Sequence, residues 1–337
     1  MPPRFAAHSL AIVLILSMAA CSREAHRATA SPPAGGTHTA TPAGGRSAAD
    51  PAASATAAGP EAAALHFSPI VLLVIENQEE PDLIGDDAAP FLTGLARDHT
   101  LLTRSYGVAH TSLPNYLALI SGETFGIRQD CNRCFQDAPT VVDQLEAAGH
   151  SWMAYFEDLP SVCGLGDTQS YAQHHNPFVY FAAVRSAAAR CAAHIASFDQ
   201  LSQDVAAGTL ADFVWITPNL CHDLHSCSVA DGDRWLAQFI PQLLATPAFQ
   251  PGGSGLLIVT TDEGTSDDGC CGDAAGGHIA TIFVSPQLPP HTTIDVPISH
   301  YGILRLLEDN WGLEPLGHAG DAAGARQLFS AIHDAPP

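Results

Sequence analysis

Three stretches of the chain share one pattern: an apolar, largely β-branched run of strand length that stops abruptly in polar groups. Leu256-Leu-Ile-Val-Thr-Thr261 ends in Asp262-Glu263-Gly264. Ile70-Val-Leu-Leu-Val-Ile75 ends in Glu76-Asn77, and Phe213-Val-Trp-Ile216 runs into Thr217-Pro-Asn219 and then His222-Asp223. Unbroken apolar runs without alternation mark strands covered on both faces, as in a parallel sheet flanked by helices. Such sheets gather ligands outside the carboxyl ends of their strands. The pattern therefore predicts an α/β fold, a mostly parallel central sheet with helices on both faces. It also predicts that carboxylate, amide and imidazole groups meet at one sheet edge, a donor set suited to a hard or borderline metal ion.

The stretches between these runs fill in the remaining elements. Helical spacing is predicted over 90–97, 141–149, 231–244 and 303–310, and the Ala-rich stretch 179–195 reads as helix, which makes His194 structural. Trp235, Phe239 and Leu243 are the expected core face of the 231–244 helix, with Asp231 and Asp233 as solvated acids of its first turn. Short strands are expected at 101–104, 151–156 and 279–284. In His110-Thr-Ser-Leu-Pro-Asn-Tyr, Ser112 stands where a helix N-cap belongs and Pro114 falls in the first turn, with Gly122 as the stop. A helix N-terminus offers free N–H groups and partial positive charge to a bound phosphate. A hydroxyl at that point, beside a metal ion, becomes a nucleophile.

Composition changes the picture in two places. Arg4, the apolar run 10–16 and Ser-Met-Ala-Ala-Cys21 form a secretory signal whose apolar core is too short for a lasting membrane span. Small residues ending in Cys21 point to a bacterial lipoprotein signal over 1–21, with lipidated Cys21 as the sole membrane attachment; the rival reading is ordinary cleavage near the same Ala pair. The chain is then exported, as a periplasmic or cell-surface lipoprotein or a secreted protein. Residues 22–64 are Ala, Pro, Gly, Ser and Thr with little else, a disordered tether, and 65–333 is one folded domain.

Export sets the reading of the cysteines: eight of the nine lie beyond Cys21, and an even number points to disulfides. Cys221 with Cys227 and Cys163 with Cys191 are the local pairings expected, Cys131-Asn-Arg-Cys134 reads as a structural bridge, and neighbouring Cys270 and Cys271 are each expected to pair elsewhere. The second change comes from charge. With 35 acidic residues, 13 Arg, no Lys and a formal charge of −22, the surface repels polyanions, which excludes nucleic acid as a partner.

Glu76-Asn77, the Ser112-Leu-Pro-Asn115 helix start, Ile216-Thr-Pro-Asn-Leu-Cys-His-Asp223, Thr261-Asp-Glu-Gly264 and Gly276-Gly-His278 occur in this order. The set resembles the bacterial phosphoesterase family that groups secreted acid phosphatases with phospholipases C, within the alkaline phosphatase superfamily. Tyr155-Phe-Glu-Asp-Leu-Pro160, His175-Asn-Pro-Phe178 and Ser299-His-Tyr look like the branch of small secreted acid phosphatases, including those described as phosphatidylinositol 3-phosphatases.

The resemblance implies an alkaline-phosphatase-like three-layer sandwich and hydrolysis of phosphate monoesters, on a phosphorylated small molecule or lipid headgroup, through a phosphoserine. Glu76, Asn77, Asp262 and Glu263 match the metal positions, joined by Asp223. Ser112 matches the nucleophile, and Asn115, Asn219 and His175 are the expected substrate contacts. His222 or His278 is the expected proton donor to the leaving oxygen. Where two-zinc members carry Asp-His, this chain has Asp262-Glu263. A carboxylate in place of imidazole favours one Mg²⁺, Ca²⁺ or Mn²⁺ over zinc. The alternatives are a phospholipase C-type phosphodiesterase and a non-catalytic surface lipoprotein.

Overall fold

The computed structural model describes residues 65–333. The signal, Cys21 and the tether expected over 1–64 lie outside the described residues. In chain order the strands are β1 (Ile70–Ile75), β2 (Thr100–Leu102), β3 (Ser105–Tyr106), β4 (Trp152–Phe156), β5 (Ile195–Ser197), β6 (Phe213–Thr217), β7 (Leu256–Thr261), β8 (His278–Ile279), β9 (Thr281–Val284), β10 (Thr292–Ile294) and β11 (Ile298–Ser299). The helices are α1 (Glu80–Leu83), α2 (Pro90–Asp98), α3 (Ser112–Ser121), α4 (Val141–Ala148), α5 (Ala182–Arg185), α6 (Ala188–His194), α7 (Phe198–Ala207), α8 (Val229–Leu244), α9 (His300–Trp311) and α10 (Ala325–His333). Among the described residues no helix is long and apolar enough to cross a membrane.

The main sheet has eight strands in the order β10-β2-β9-β7-β1-β6-β4-β5, and a small sheet runs β11-β3-β8. Pairing is parallel from β7 through β1, β6 and β4 to β5; β9 alone runs antiparallel to its neighbours β7 and β2. Every residue of β1, β6 and β7 is buried, which is why these runs are apolar without alternation. Alternate residues of β1 serve opposite cores. Ile70, Leu72 and Val74 pack with α3 and α9, and Val71, Leu73 and Ile75 with α2 and α8. Each such side chain contributes about 1.5–3 kcal/mol on burial, so the register of the central strands is firmly set. That register pairs Ile75 with Thr261. Glu76 and Asp262, the next residues, therefore leave the sheet at the same level.

Several local expectations are corrected. The stretch 179–195 is not one helix: Pro177–Tyr180 forms a 3₁₀ turn, α5 and α6 are separate short helices, and Ile195 begins β5. Phe178, Val179, Tyr180 and Phe181 are all buried in succession. His194 stacks on Trp152 at 4.4 Å between ring centres, as a structural residue should. On α8 the buried apolar side chains are Leu236, Ile240 and Leu243, with Trp235 and Phe239 only partly covered. Asp233 is not solvated. It is 3% exposed and accepts hydrogen bonds from Phe91 N and Leu92 N at 3.0 and 2.8 Å, capping the start of α2.

Disulfides join Cys131–Cys134, Cys163–Cys191 and Cys221–Cys227. Contrary to expectation, Cys270 and Cys271 bond to each other. The chain reverses there: Cys270 N donates to Ala274 O, and Cys271 and Gly272 take φ of +56° and +95°, so the local path turns both side chains to one side.

Candidate active site

Three carboxylates converge at the carboxyl edge of the sheet: Glu76 after β1, Asp262 after β7 and Asp223 in the turn after β6, all fully buried. His175, delivered by the 3₁₀ turn Gln173–His175, lies between two of them. Its Nε2 is 3.4 Å from Glu76 Oε2 and its Nδ1 is 3.5 Å from Asp223 Oδ2. The ring stacks on Tyr116, whose hydroxyl donates to Glu76 Oε1. Asn77 takes a left-handed conformation (φ +53°), which its short amide side chain tolerates. This turn aims its N–H at Asp262 Oδ1 (3.0 Å), which also accepts from Glu263 N at 2.7 Å.

The electrostatics are those of a cation site. Burial, with the charges of Asp262 and Asp223, holds the Glu76 carboxyl well above the ordinary range. Burial leads in pushing Asp223 up to about 8, Asp262 to about 6 and Glu263 to about 7. Burial also holds the His175 imidazole well below its usual value, with His174 and His225 adding to the effect. Asn77 Oδ1, His175 Nε2, Asp223 Oδ2 and Asp262 Oδ2 are buried without a hydrogen-bond partner. Buried polar atoms are seldom left so. Donor atoms of Glu76, His175 and Asp223 all lie within 4.8 Å of one another. Unpaired lone pairs among mutually repelling carboxylates fit a divalent cation, which would satisfy both conditions at once.

Ser112 is the first residue of α3, and Thr111 rather than Ser112 holds the cap position. The serine's side chain is thereby free to face the sheet edge, and its Oγ donates to Glu76 Oε2 at 3.1 Å. The helix N-terminus is not the open anion seat the sequence suggested, because Leu113 N donates to Asp130 Oδ1 at 2.9 Å. Asn115 is corrected too. Its Oδ1 accepts from Val108 N and Ala109 N, and its Nδ2 donates to Ala109 O and Thr111 O. With both lone pairs and both N–H bonds spent, this amide fixes the turn that presents Ser112 and has nothing left for phosphate.

The side chains of the remaining expected residues are engaged by other partners. Glu263 turns its carboxylate to His110, with Oε2 2.7 Å from Nδ1. His222 Nδ1 is 2.8 Å from Glu157 Oε2, and its ring stacks on Trp235 at 4.9 Å. Asn219 Oδ1 accepts from Cys221 N and His222 N, both at 3.0 Å, and its Nδ2 donates to Asp158. His278 Nε2 is engaged by Thr103 O at 2.9 Å, and its ring lies beside Tyr106. His300 is buried against the Asp262 carbonyl and pushed down to about 4 by that burial. The sequence reading missed Tyr116 and Asp130. Tyr116 was findable, because it follows Ser112 by four residues and so shares its helix face. Asp130 sits just before the Cys131–Cys134 bridge and gives no local signal.

Comparison with known proteins agrees with this geometry. The model of the Phosphoesterase family matches residues 84–314. A phosphatidylinositol-3-phosphatase of Mycobacterium tuberculosis is 32% identical over 263 residues, covering 76% of this chain and 81% of that one. A phosphate-repressible acid phosphatase of Penicillium chrysogenum is 30% identical over 264 residues, covering 75% of this chain and 61% of its own length, so the chain spans under two thirds of that relative. Among solved structures, an alkaline phosphatase superfamily protein of Vibrio parahaemolyticus superposes with a TM-score of 0.51 at 12% identity, covering 74% of this chain and 67% of that one. That is a likeness of fold, and it matches the mixed, mostly parallel sheet described above. With the family match spanning most of the described residues, and Ser112, Asp223 and Asp262 inside it, this chain belongs to the Phosphoesterase family.

Proposed function

We propose that this phosphoesterase hydrolyses phosphate monoesters through a phosphoserine on Ser112. The single observation that carries the reading is the hydrogen bond from Ser112 Oγ to Glu76 Oε2 within a buried set of unpaired metal-type donors. Glu76, Asp223, Asp262, Asn77 and His175 would hold one divalent cation. When bound, it would neutralise the carboxylates, lower the pKa of the serine hydroxyl and draw charge from the phosphate. The imidazole of His175 adds a nitrogen to a mainly oxygen set, which admits Zn²⁺ alongside Mn²⁺, Mg²⁺ or Ca²⁺.

The chain's own groups supply the rest. Glu76 Oε2 accepts the proton of Ser112 as Oγ attacks phosphorus in line. A new O–P bond forms and the ester O–P bond breaks. Of the two histidines expected as acids, His222 is the better suited: Glu157 holds its Nδ1 and so orients the ring, whereas the Nε2 of His278 is already engaged by Thr103 O. Water then attacks the phosphoserine and gives a proton to His222, while Glu76 returns the serine's own proton to Oγ as the O–P bond breaks. The names of the relatives, acid phosphatase and phosphatidylinositol-3-phosphatase, support a phosphorylated small molecule or lipid headgroup as substrate. Four disulfides among the described residues support an exported domain; attachment through Cys21 remains part of the proposal.

The test is release of p-nitrophenol from p-nitrophenyl phosphate between pH 4 and 9, for the intact chain and Ser112→Ala, with chelator and after metal add-back. Ser112→Ala should lose roughly 10³-fold or more of kcat, and chelation should abolish activity until metal is restored. A metal-replete wild type that releases nothing refutes the monoesterase. Bis-p-nitrophenyl phosphate would then separate a diesterase from a binding protein.

A further inference from the structure

Glu79 lies three residues after Glu76, is 7% exposed, and is absent from the mechanism above. It is bound from three sides by backbone. Oε1 accepts from Thr265 N and Ser266 N, each at 2.7 Å, and Oε2 accepts from His278 N at 3.0 Å. Two glycines make room for it. A Cβ on Gly264 would stand 2.3 Å from Glu79 Oε1, and one on Gly277 (φ +89°) would stand 2.7 Å from it. The carboxylate thus ties both ends of the β7–β8 loop to the segment leaving β1.

The loop it fixes reaches the site. Ser266 O lies 3.0 Å from His110 Nε2, and the other ring nitrogen, Nδ1, lies 2.7 Å from Glu263 Oε2. Glu263 N in turn donates to Asp262 Oδ1 at 2.7 Å. His110 also ends the turn that presents Ser112, two residues on. One chain of contacts therefore runs from Glu79 through Ser266 and His110 to the acidic end of β7. We infer that Glu79 is a positioning residue that sets the cation affinity of the site by clamping the 264–278 loop, so that His110 and the Asp262-Glu263 pair hold their places. The inference deepens the metal-assisted reading and rests on it.

The chemistry of the clamp makes it testable. A carboxylate only accepts hydrogen bonds, and all three partners only donate. In Glu79→Gln, of nearly the same size, one end of the amide must set N–H against N–H, whichever way it is turned. Groups that orient metal ligands from behind typically alter affinity or activity by roughly 10–100-fold when changed. The experiment is Mn²⁺ titration of the full chain, wild type and Glu79→Gln, with free Mn²⁺ read by electron paramagnetic resonance. The Mn²⁺ dependence of kcat and KM and the melting temperature in chelator are measured alongside. The expected result is a Mn²⁺ Kd weaker by about 10-fold or more, with kcat recovering at high Mn²⁺. A merely structural role would lower the melting temperature and leave the Kd of the folded fraction unchanged. If Glu79→Gln does not fold, Gly264→Ala pushes the carboxylate off its N–H partners and should weaken Mn²⁺ in the same direction. Wild-type affinity in the folded variant overturns the inference alone. A wild type that binds no Mn²⁺ overturns the metal-assisted reading and this inference with it.

Discussion

Replacing Asp223 with asparagine should stabilise the metal-free protein, and the gain should grow with pH. Burial, reinforced by the charges of Asp262 and Glu157, raises the Asp223 carboxyl from 3.8 to about 8 in the folded chain. Its folded pKa thus lies above the unfolded one, so the folded state binds the extra proton. Stability conferred by that group is complete below pH 3.8, declines as pH rises, and levels off above about 8. At about 1.4 kcal/mol for each pH unit, the penalty at pH 7 is on the order of 4 kcal/mol, and at pH 4 it is below about 1 kcal/mol. Asparagine removes the charge but keeps an oxygen where Asp223 Oδ1 accepts from His225 N at 2.9 Å. At roughly 2 °C per kcal/mol for a domain of this size, Asp223→Asn should melt about 8 °C higher than wild type at pH 7 in chelator, with little difference at pH 4. Scanning calorimetry at pH 4, 5.5, 7 and 8 measures this directly. Mn²⁺ at 100 times its Kd should narrow the difference without reversing it, because the cation stabilises wild type by about 2.7 kcal/mol while the variant has lost a ligand. A variant no more stable than wild type at pH 7 in chelator, or one whose gain is the same at pH 4, would refute the view that unneutralised carboxylates burden this edge.

Two further outcomes follow from single contacts. Asp233→Ala leaves Phe91 N and Leu92 N without their buried carboxylate and should cost about 3 kcal/mol, with the activity of the folded protein unchanged; urea unfolding checks it, and a loss under about 1 kcal/mol would show that the cap is replaceable. Asn115→Asp sets a carboxylate against Ala109 O and Thr111 O in place of two donated hydrogen bonds. The shifted Ser112 turn should lower kcat about 100-fold with KM changed little, whereas a rise in KM at unchanged kcat in steady-state assays would return Asn115 to direct phosphate binding.

Much of this architecture was legible because burial is written locally. A strand covered on both faces must be apolar at every position, so β1, β6 and β7 stood out with their terminal acids attached. Gly122 and Gly149 end α3 and α4 in left-handed conformations, where the sequence placed the stops. Local logic failed where partners lie far along the chain. Asp233 has the sequence of a solvated first-turn acid, and only the packing of α8 beside α2, 142 residues away, makes it a buried cap. Asn115 sits one turn from a nucleophile-like serine, and only the fold of the preceding turn shows its amide to be fully spent.

The sequence by itself determined which side chains would leave water and which strand ends would carry carboxylates, because both follow from residue type and period along a short stretch. Tertiary structure decided which of those groups meet. Ser112 reaches Glu76 across 36 residues, and Asn77 reaches Asp262 across 185. His175 enters between Glu76 and Asp223 from a 3₁₀ turn. His222 and His278, equally suggestive in the sequence, turn to other partners. Convergence of this kind depends on strand register and on the path of each loop, and neither is encoded in the residues that converge.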